Sequence, residues 1–318
     1  LLPNGPWSKI KTWQAHPTDL TGEHGPMQAT FQIGDSEITA APVDPALYLV
    51  ATPIGNLSDV TLRALQVLAS VDILACEDTR VTRTLLTRYA IAARPVAYHE
   101  HNAARAGPKL IAALSQGSSV ALVSDAGTPL VSDPGYRLVE QALAAGIDVV
   151  PVPGPSAPLA ALVASGLPSD GFLFAGFLPV KEKARKARLA ELATVPATLL
   201  FFESPRRLAA TLAAAAQVLG PDRPAAVCRE LTKLHEEIRR APLGALAEHY
   251  AAADTVKGEI VMAVGPPKPG AATMEEAEAV LRELLPGLSP GQAATEAARR
   301  TGLPRKDLYR RLLELKDK

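Results

Sequence analysis

Cysteine is scarce: Cys76 and Cys228 are the only two, in neither CxxC nor metal-ligand spacing. That argues against a disulfide framework and a structural zinc site, and it fits a reducing compartment. Aromatic residues make up only 4% of the 318 while Ala and Leu abound, which disfavours a β-sandwich and favours helices packed on a sheet. Neither sign of charge is in excess, with 33 Lys and Arg against 33 Asp and Glu, so any polyanion must be met by local patches. No run of about eighteen apolar residues occurs, and residues 1–30 carry no apolar signal-peptide core. The expectation is therefore no membrane span, no secretion and a cytoplasmic location. The phosphate-loop pattern GxxxxGK[ST] and the dinucleotide pattern GxGxxG are both missing.

What is present is a globular composition, 47% hydrophobic and 21% charged, with room for two or three domains. The chain is organised around residues 120–135, VALVSDAGTPLVSDPG. Val120 to Val123 have a strand bias, a helical pattern begins at Tyr136, and between them runs a loop of Ser, Asp, Gly and Pro. Such βα connections usually take about two to six residues, and this one takes about a dozen. In an open α/β sheet ligands lie beyond the carboxyl ends of the strands, so the loop is a candidate site, with an ordinary connection as the alternative. It offers backbone groups of Asp125, Ala126, Gly127 and Thr128, made approachable by Gly127 and stiffened by Pro129 and Pro134. A polar, uncharged or zwitterionic ligand suits it better than a triphosphate.

Residues 1–44 carry Pro and Gly at short intervals and little periodicity, and are expected to form an irregular extension. From residue 47 strands alternate with helices: strands at 47–51, 73–76, 96–98, 120–123 and 148–152, helices at 61–69, 81–89, 103–116 and 136–145. This pattern predicts an α/β lobe over 45–158 with a mostly parallel sheet, its loops TPIGN, EDTR, YHEHN, SDAGTPLVSDPG and PVPGPS gathered on one edge. A second α/β lobe is expected over 159–265, with strands at 172–177, 198–203, 225–230 and 259–264 and helices at 181–193, 208–219 and 243–252. After a Pro- and Gly-rich linker, residues 272–318 read as helices at 275–285, 290–300 (Ser289 as N-cap) and 305–315. The TGLP turn before a basic last helix makes a helix-turn-helix-like tail, for which a solvated charged face is the alternative.

The ordered motifs TPIGNLSDVTLRA, ACEDTR, YHEHN, ALVSDAGTPLVSDPG, PVPGPSA, FFESPRR and RELTKLHEE resemble those of the bacterial ribosomal RNA small subunit methyltransferase I family, across residues 47–264. The tail resembles that family's helix-turn-helix domain. The resemblance implies two α/β lobes of the tetrapyrrole methylase type, the class III S-adenosylmethionine (SAM) methyltransferases, with a small C-terminal helical domain. It implies SAM as cofactor, methylation of the ribose 2′-oxygen of cytidine-1402 in 16S rRNA of the small ribosomal subunit, and a homodimer. It places the methyl-donor site on Pro53, Ile54, Gly55, Asp125, Ala126, Gly127, Thr128, Ser132, Pro153, Gly154, Ser156 and Ala157.

The acceptor side must be argued from chemistry. A ribose hydroxyl is a poor nucleophile until its proton begins to leave, so a carboxylate, His or Lys within hydrogen-bond reach would help. Candidates at the carboxyl edges are Glu77, Asp78, His99, Glu100, Glu203, Lys233 and Glu236. Glu77, Asp78 and Lys233 are taken as catalytic, although Glu77 and Asp78 have helix capping as their alternative. His99, Glu100 and Glu203 are taken as substrate-binding, with Arg80, Arg206 and Arg229 for phosphate contacts. Arg305, Lys306, Arg310 and Arg311 in the tail extend that set. His99 and His101 lack a third ligand, so no metal is expected. Two other classes stay open: a tetrapyrrole C-methyltransferase of the same fold and a non-catalytic RNA-binding module. The EDTR, ESPRR and TKLHEE motifs and the basic tail favour the RNA methyltransferase.

Overall fold

The computed structural model describes residues 29–132, 135–253, 255–267 and 274–316. Contacts divide the chain into two compact units. One holds residues up to Ala160 together with Glu230–Glu236; the other holds Ala161–Arg229 and the residues from Glu237 onward. The sequence reading left 230–236 with its neighbours in the second lobe, whereas its contacts assign it to the first unit.

The first unit opens on a hairpin, β1 (Thr30–Ile33) and β2 (Ser36–Thr39), which corrects part of the expected irregular extension. Phe31 pairs with Ile38 across a turn at Gly34, whose φ of 60° suits glycine, and Phe31 is buried in the core. Burying one aromatic ring gives an otherwise polar hairpin its anchor. Residues 1–28 of that expectation lie outside the described residues.

Five parallel strands follow: β3 (Leu47–Val50), β4 (Ile73–Cys76), β5 (Pro95–Ala97), β6 (Val120–Val123) and β7 (Val149–Val152). Their order is β5-β4-β6-β3-β7, and central β6 is buried along its whole length, as an apolar run in a parallel sheet should be. Helices α1 (Leu62–Ser70) and α2 (Thr79–Arg88) pack Leu65, Leu68, Leu85 and Leu86 into one core. Helices α3 (Ala103–Ser115) and α4 (Tyr136–Ala144) pack Leu110, Leu114 and Leu138 into another. Strand order explains the split. The chain steps one way through β3, β4 and β5 and the other way through β5, β6 and β7, so right-handed crossovers put the two helix pairs on opposite faces. Each buried Leu is worth about 1.5–3 kcal/mol, so both layers clamp the sheet and fix its carboxyl edge.

Helix α5 (Ala157–Ser165) crosses the division. The second unit's sheet runs β11-β10-β12-β9-β8, from β8 (Phe172–Phe177), β9 (Thr198–Glu203), β10 (Pro224–Arg229), β11 (Glu237–Pro242) and β12 (Ile260–Val264). Only β8 and β9 pair in parallel; the other pairs are antiparallel. Strand β11 has no counterpart in the sequence reading, because EIRRAP places Arg239 and Arg240 on a polar edge that lacks an apolar run. Helices α6 (Glu182–Leu192), α7 (Leu208–Leu219) and α8 (Leu243–Ala251) share a core with this sheet through Leu189, Leu212 and Leu246.

The tail has its own core. Ala277, Leu281, Ala293, Ala297, Leu308 and Leu312 bring together α9 (Met274–Leu284), α10 (Pro290–Thr301) and α11 (Arg305–Lys316). Ser289 caps α10, its hydroxyl and N–H donating to Gln292 Oε1 at 2.7 and 3.1 Å, and left-handed Gly302 ends it. No helix among the described residues is long and apolar enough to cross a membrane.

Candidate active site

The loops after β3, β6 and β7, neighbours in the first sheet, are joined backbone to backbone. Thr52 N–H donates to Gly127 O at 2.9 Å, and Gly127 N–H donates back to Thr52 O at 3.0 Å. The Thr52 hydroxyl donates to Ser124 O at 3.2 Å, and the Thr128 hydroxyl to Pro155 O at 3.2 Å. Glycine is required twice. Gly127 has φ of 83°, and a Cβ there would lie 3.3 Å from Ile54 Cγ2; a Cβ on Gly154 would lie 3.0 Å from Ala51 Cβ. Ala126, Thr128, Pro153 and Gly154 stay exposed. Further along the loop, Leu130 and Ser132 are left-handed at φ of 73° and 67°, a strain of about 1–3 kcal/mol each for non-glycine residues. Asp133 and Pro134 lie outside the described residues. Thr52, Ser124 and Pro155 build this junction without having been singled out in sequence; their signal was position inside the loops.

The EDTR turn after β4 joins the same edge, with Asp78 N–H donating to Asp125 Oδ1 at 2.9 Å. Asp78 itself caps α2 by accepting from Arg80 N–H at 2.8 Å and pairs with the Arg80 guanidinium at 2.6 Å. These bonds hold its carboxyl at about 2, so Asp78 is a poor base at neutral pH and the capping role replaces the catalytic expectation. Arg80, expected on phosphate, shares this pair while its side chain stays largely exposed. Glu77 behaves oppositely: burial raises its pKa, with Asp125 and Asp78 adding to the rise and His99 opposing it. Next to it, His99 N–H donates to Asn102 Oδ1 at 2.9 Å, while His99 Nδ1 is buried without a hydrogen-bond partner. The His99 ring stands 6.0 Å from that of His101, and Glu100 is exposed. Among the described residues no three of His, Cys, Asp and Glu group as a metal site.

The 230–236 segment reaches this edge through two left-handed residues, Glu230 at φ 51° and Thr232 at φ 65°. Its Lys233 stem lies against Gly55, where a Cβ would come within 2.3 Å of Lys233 Cγ and 3.0 Å of Leu231 O. The Lys233 ammonium pairs with Glu230 at 2.8 Å, and Glu236 accepts from Thr232 N–H at 2.7 Å. Lys233 therefore shares the edge with Gly55 and the loop after β3.

In the second unit, Glu203 is buried at the end of β9 with its side chain wholly enclosed. It accepts from Ser204 N–H at 2.7 Å, from the Thr211 hydroxyl at 2.6 Å and from Arg207 Nη2 at 3.2 Å. With every face used, Glu203 is a structural corner, which corrects its expected substrate role. Arg229 pairs with Glu237 at 3.0 Å, whereas Arg206 is exposed. In the tail, Arg311 bridges Glu278 and Glu314, tying α9 to α11, and Arg310 pairs with Asp307 at 3.0 Å. Arg311, expected on phosphate, thus ties two tail helices together. Arg305 donates to the Thr295 hydroxyl at 2.9 Å, and Lys306 is exposed.

Comparison with known proteins decides the family. The profile of Tetrapyrrole (Corrin/Porphyrin) Methylases matches residues 46–247, and that of the RsmI C-terminal HTH domain matches residues 271–316. A relative from Mesorhizobium japonicum, ribosomal RNA small subunit methyltransferase I, is 65% identical over 285 residues, covering 90% of this chain and 97% of its own. The chain belongs to the ribosomal RNA small subunit methyltransferase I family. A second member of that family, from Erythrobacter litoralis, is 54% identical over 278 residues, 87% of this chain and 98% of its own. Among solved structures, a uroporphyrin-III-C-methyltransferase from Thermus thermophilus aligns with a TM-score of 0.51 at 23% identity, over 69% of this chain and 93% of its own. That likeness is one of fold. Family membership agrees with the motif resemblance and separates the chain from the tetrapyrrole enzymes that share its architecture.

Proposed function

We propose that the chain transfers the methyl group of SAM to the ribose 2′-oxygen of cytidine-1402 in 16S rRNA of the small ribosomal subunit. What supports this reading, in a chain of this family, is the junction of the loops after β3, β6 and β7. Gly127 and Gly154 let the loop backbones approach one another there, Ala126, Thr128 and Gly154 stay exposed, and the loops 52–55, 125–128 and 153–157 contain no Lys or Arg. Loops with exposed backbone and no cation of their own suit a zwitterion that carries a sulfonium, and the resemblance assigns most of the donor residues to them. SAM, when bound, supplies an electrophilic methyl group. Glu77 takes the proton of the attacking hydroxyl on its carboxylate, since its raised pKa makes it a stronger base than Asp78. Lys233, beside Gly55, orients the acceptor, as do His99 and Glu100 at the end of β5.

The same reading takes residues 45–158 as the donor lobe, 159–265 as the second lobe and 272–318 as an RNA-binding tail. It takes the working enzyme as a cytoplasmic homodimer, for which the family resemblance is the support. The test is calorimetric titration with SAM, followed by methylation of small ribosomal subunits with labelled SAM and mapping of the modified nucleotide. Gly127→Val, strained at its positive φ and crowded by Ile54, should weaken SAM binding roughly tenfold or more in a protein whose circular dichroism is unchanged. Unchanged affinity in the folded variant would remove this loop from the donor site.

A further inference from the structure

The most exposed large aromatic among the described residues is Tyr136, the first residue of α4, at 71% of its full surface. An aromatic ring left this open gains nothing for the fold, and Tyr136 makes no hydrogen bond through its hydroxyl among the described residues. Its position is fixed by topology. Helix α4 starts at the carboxyl edge of the first sheet, directly after the loop that carries Gly127 and Ser132. Helix α3 packs beside α4 on the same face and also starts at that edge, after His99 and His101. The first turns of two neighbouring helices on one face of the sheet thus carry Tyr136 and Arg137 in one and Arg105 in the other. Arg137 lies near the buried Tyr98 phenol, whose pKa it lowers against the rise that burial imposes.

Many arginines elsewhere in the molecule are neutralised. Arg80, Arg229, Arg239, Arg299, Arg300, Arg310 and Arg311 are all held by carboxylates. Arg105 and Arg137 are exposed, and neither side chain is bound to a carboxylate among the described residues. An open aromatic face flanked by unspent guanidiniums matches single-stranded nucleic acid, with a base stacked on the ring and phosphates met by the cations.

We infer that Tyr136, with Arg105 and Arg137, forms a docking platform for the rRNA strand that leads to the methylated nucleotide, Tyr136 stacking on a neighbouring base. The inference rests on the RNA methyltransferase reading and adds the residues that hold the strand beside the donor loop. Tyr136 is a positioning residue: it touches the strand, while Glu77 serves the reacting oxygen.

The experiment uses the full chain with small ribosomal subunits that lack the methyl group. Tyr136→Ala should raise KM for the subunit, and weaken binding, by roughly 5- to 100-fold, as expected for one lost base stack. SAM affinity and the thermal midpoint should stay at wild-type values. Tyr136→Phe, which keeps the ring, should restore KM. The double change Arg105→Gln and Arg137→Gln should flatten the dependence of log affinity on log salt by about 1.4, or about 0.7 per phosphate on a single strand. Wild-type KM and affinity in Tyr136→Ala would overturn the platform while leaving the methyltransferase reading intact. Wild-type protein that binds subunits but does not methylate them would overturn that reading, and the affinity comparison would still decide the platform. Failure of the wild type to bind subunits at all would sink both.

Discussion

The two sheets finish their strands in opposite ways. At the carboxyl edge of the first, the loops after β3, β6 and β7 are held by paired backbone groups around Gly127 and carry left-handed Leu130 and Ser132. In the second, β9 ends on Glu203, whose carboxylate is saturated by Ser204, Arg207 and Thr211. Both ends read as charged, polar motifs in sequence. The first edge leaves polar groups exposed and stores strain, as ligand sites do, while the second has spent its charges on itself. A cluster of polar residues at a strand end is thus a site only where the fold leaves it unsatisfied.

Glu77 offers the sharpest way to break that comparison. If it is the base, Glu77→Gln should lower single-turnover rates by about 10²–10⁴ with SAM affinity unchanged. The wild-type rate should rise with pH through a carboxyl pKa above the ordinary value, a limb missing from the variant. The stability sign is opposite. A raised folded pKa contributes stability below the unfolded pKa that is lost as pH rises through the folded one, so the Gln variant should be slightly more stable than wild type near neutrality. A near-normal rate in the variant would leave the first edge as structural as the second.

Glu203 tests the other side. Glu203→Ala strips three donors of their acceptor and should cost about 3 kcal/mol of stability, read from the denaturant midpoint. A wild-type midpoint with weakened rRNA binding would return Glu203 to the substrate-binding role.

The smallest effect belongs to the tail, where the same contrast recurs within one helix. Arg305→Gln with Lys306→Gln should reduce the salt slope of rRNA binding by about 1.4–1.8, whereas Arg311→Gln should loosen the α9–α11 packing and leave the slope alone. Equal slopes for wild type and the double variant would make the whole tail surface structural.

Much of this was legible beforehand. The strand and helix alternation over 47–152, the loops at one edge and the three tail helices followed from apolar periodicity and turn residues. The hairpin of β1 and β2 escaped because its stability comes from Phe31 entering a core built by distant residues. Strand β11 escaped because an exposed edge needs no apolar run. Asp78 was legible in both its readings, and only the bonds from Arg80 chose the cap.

The sequence by itself determined which elements form and which loops face the ligand edge, because side-chain periodicity, caps and glycine conformations are local properties. Only the tertiary structure decided which charges are free. Glu203 is closed by a helix that follows it, Arg311 is taken by Glu278 from another helix, and Lys233 is laid against Gly55 by a segment that returns to the first unit. The helices that begin near Arg105 and Arg137 are made neighbours by a strand order that no local pattern encodes. The physical reason is that a charge's role depends on which partners reach it, and those partners come from parts of the chain far apart in sequence.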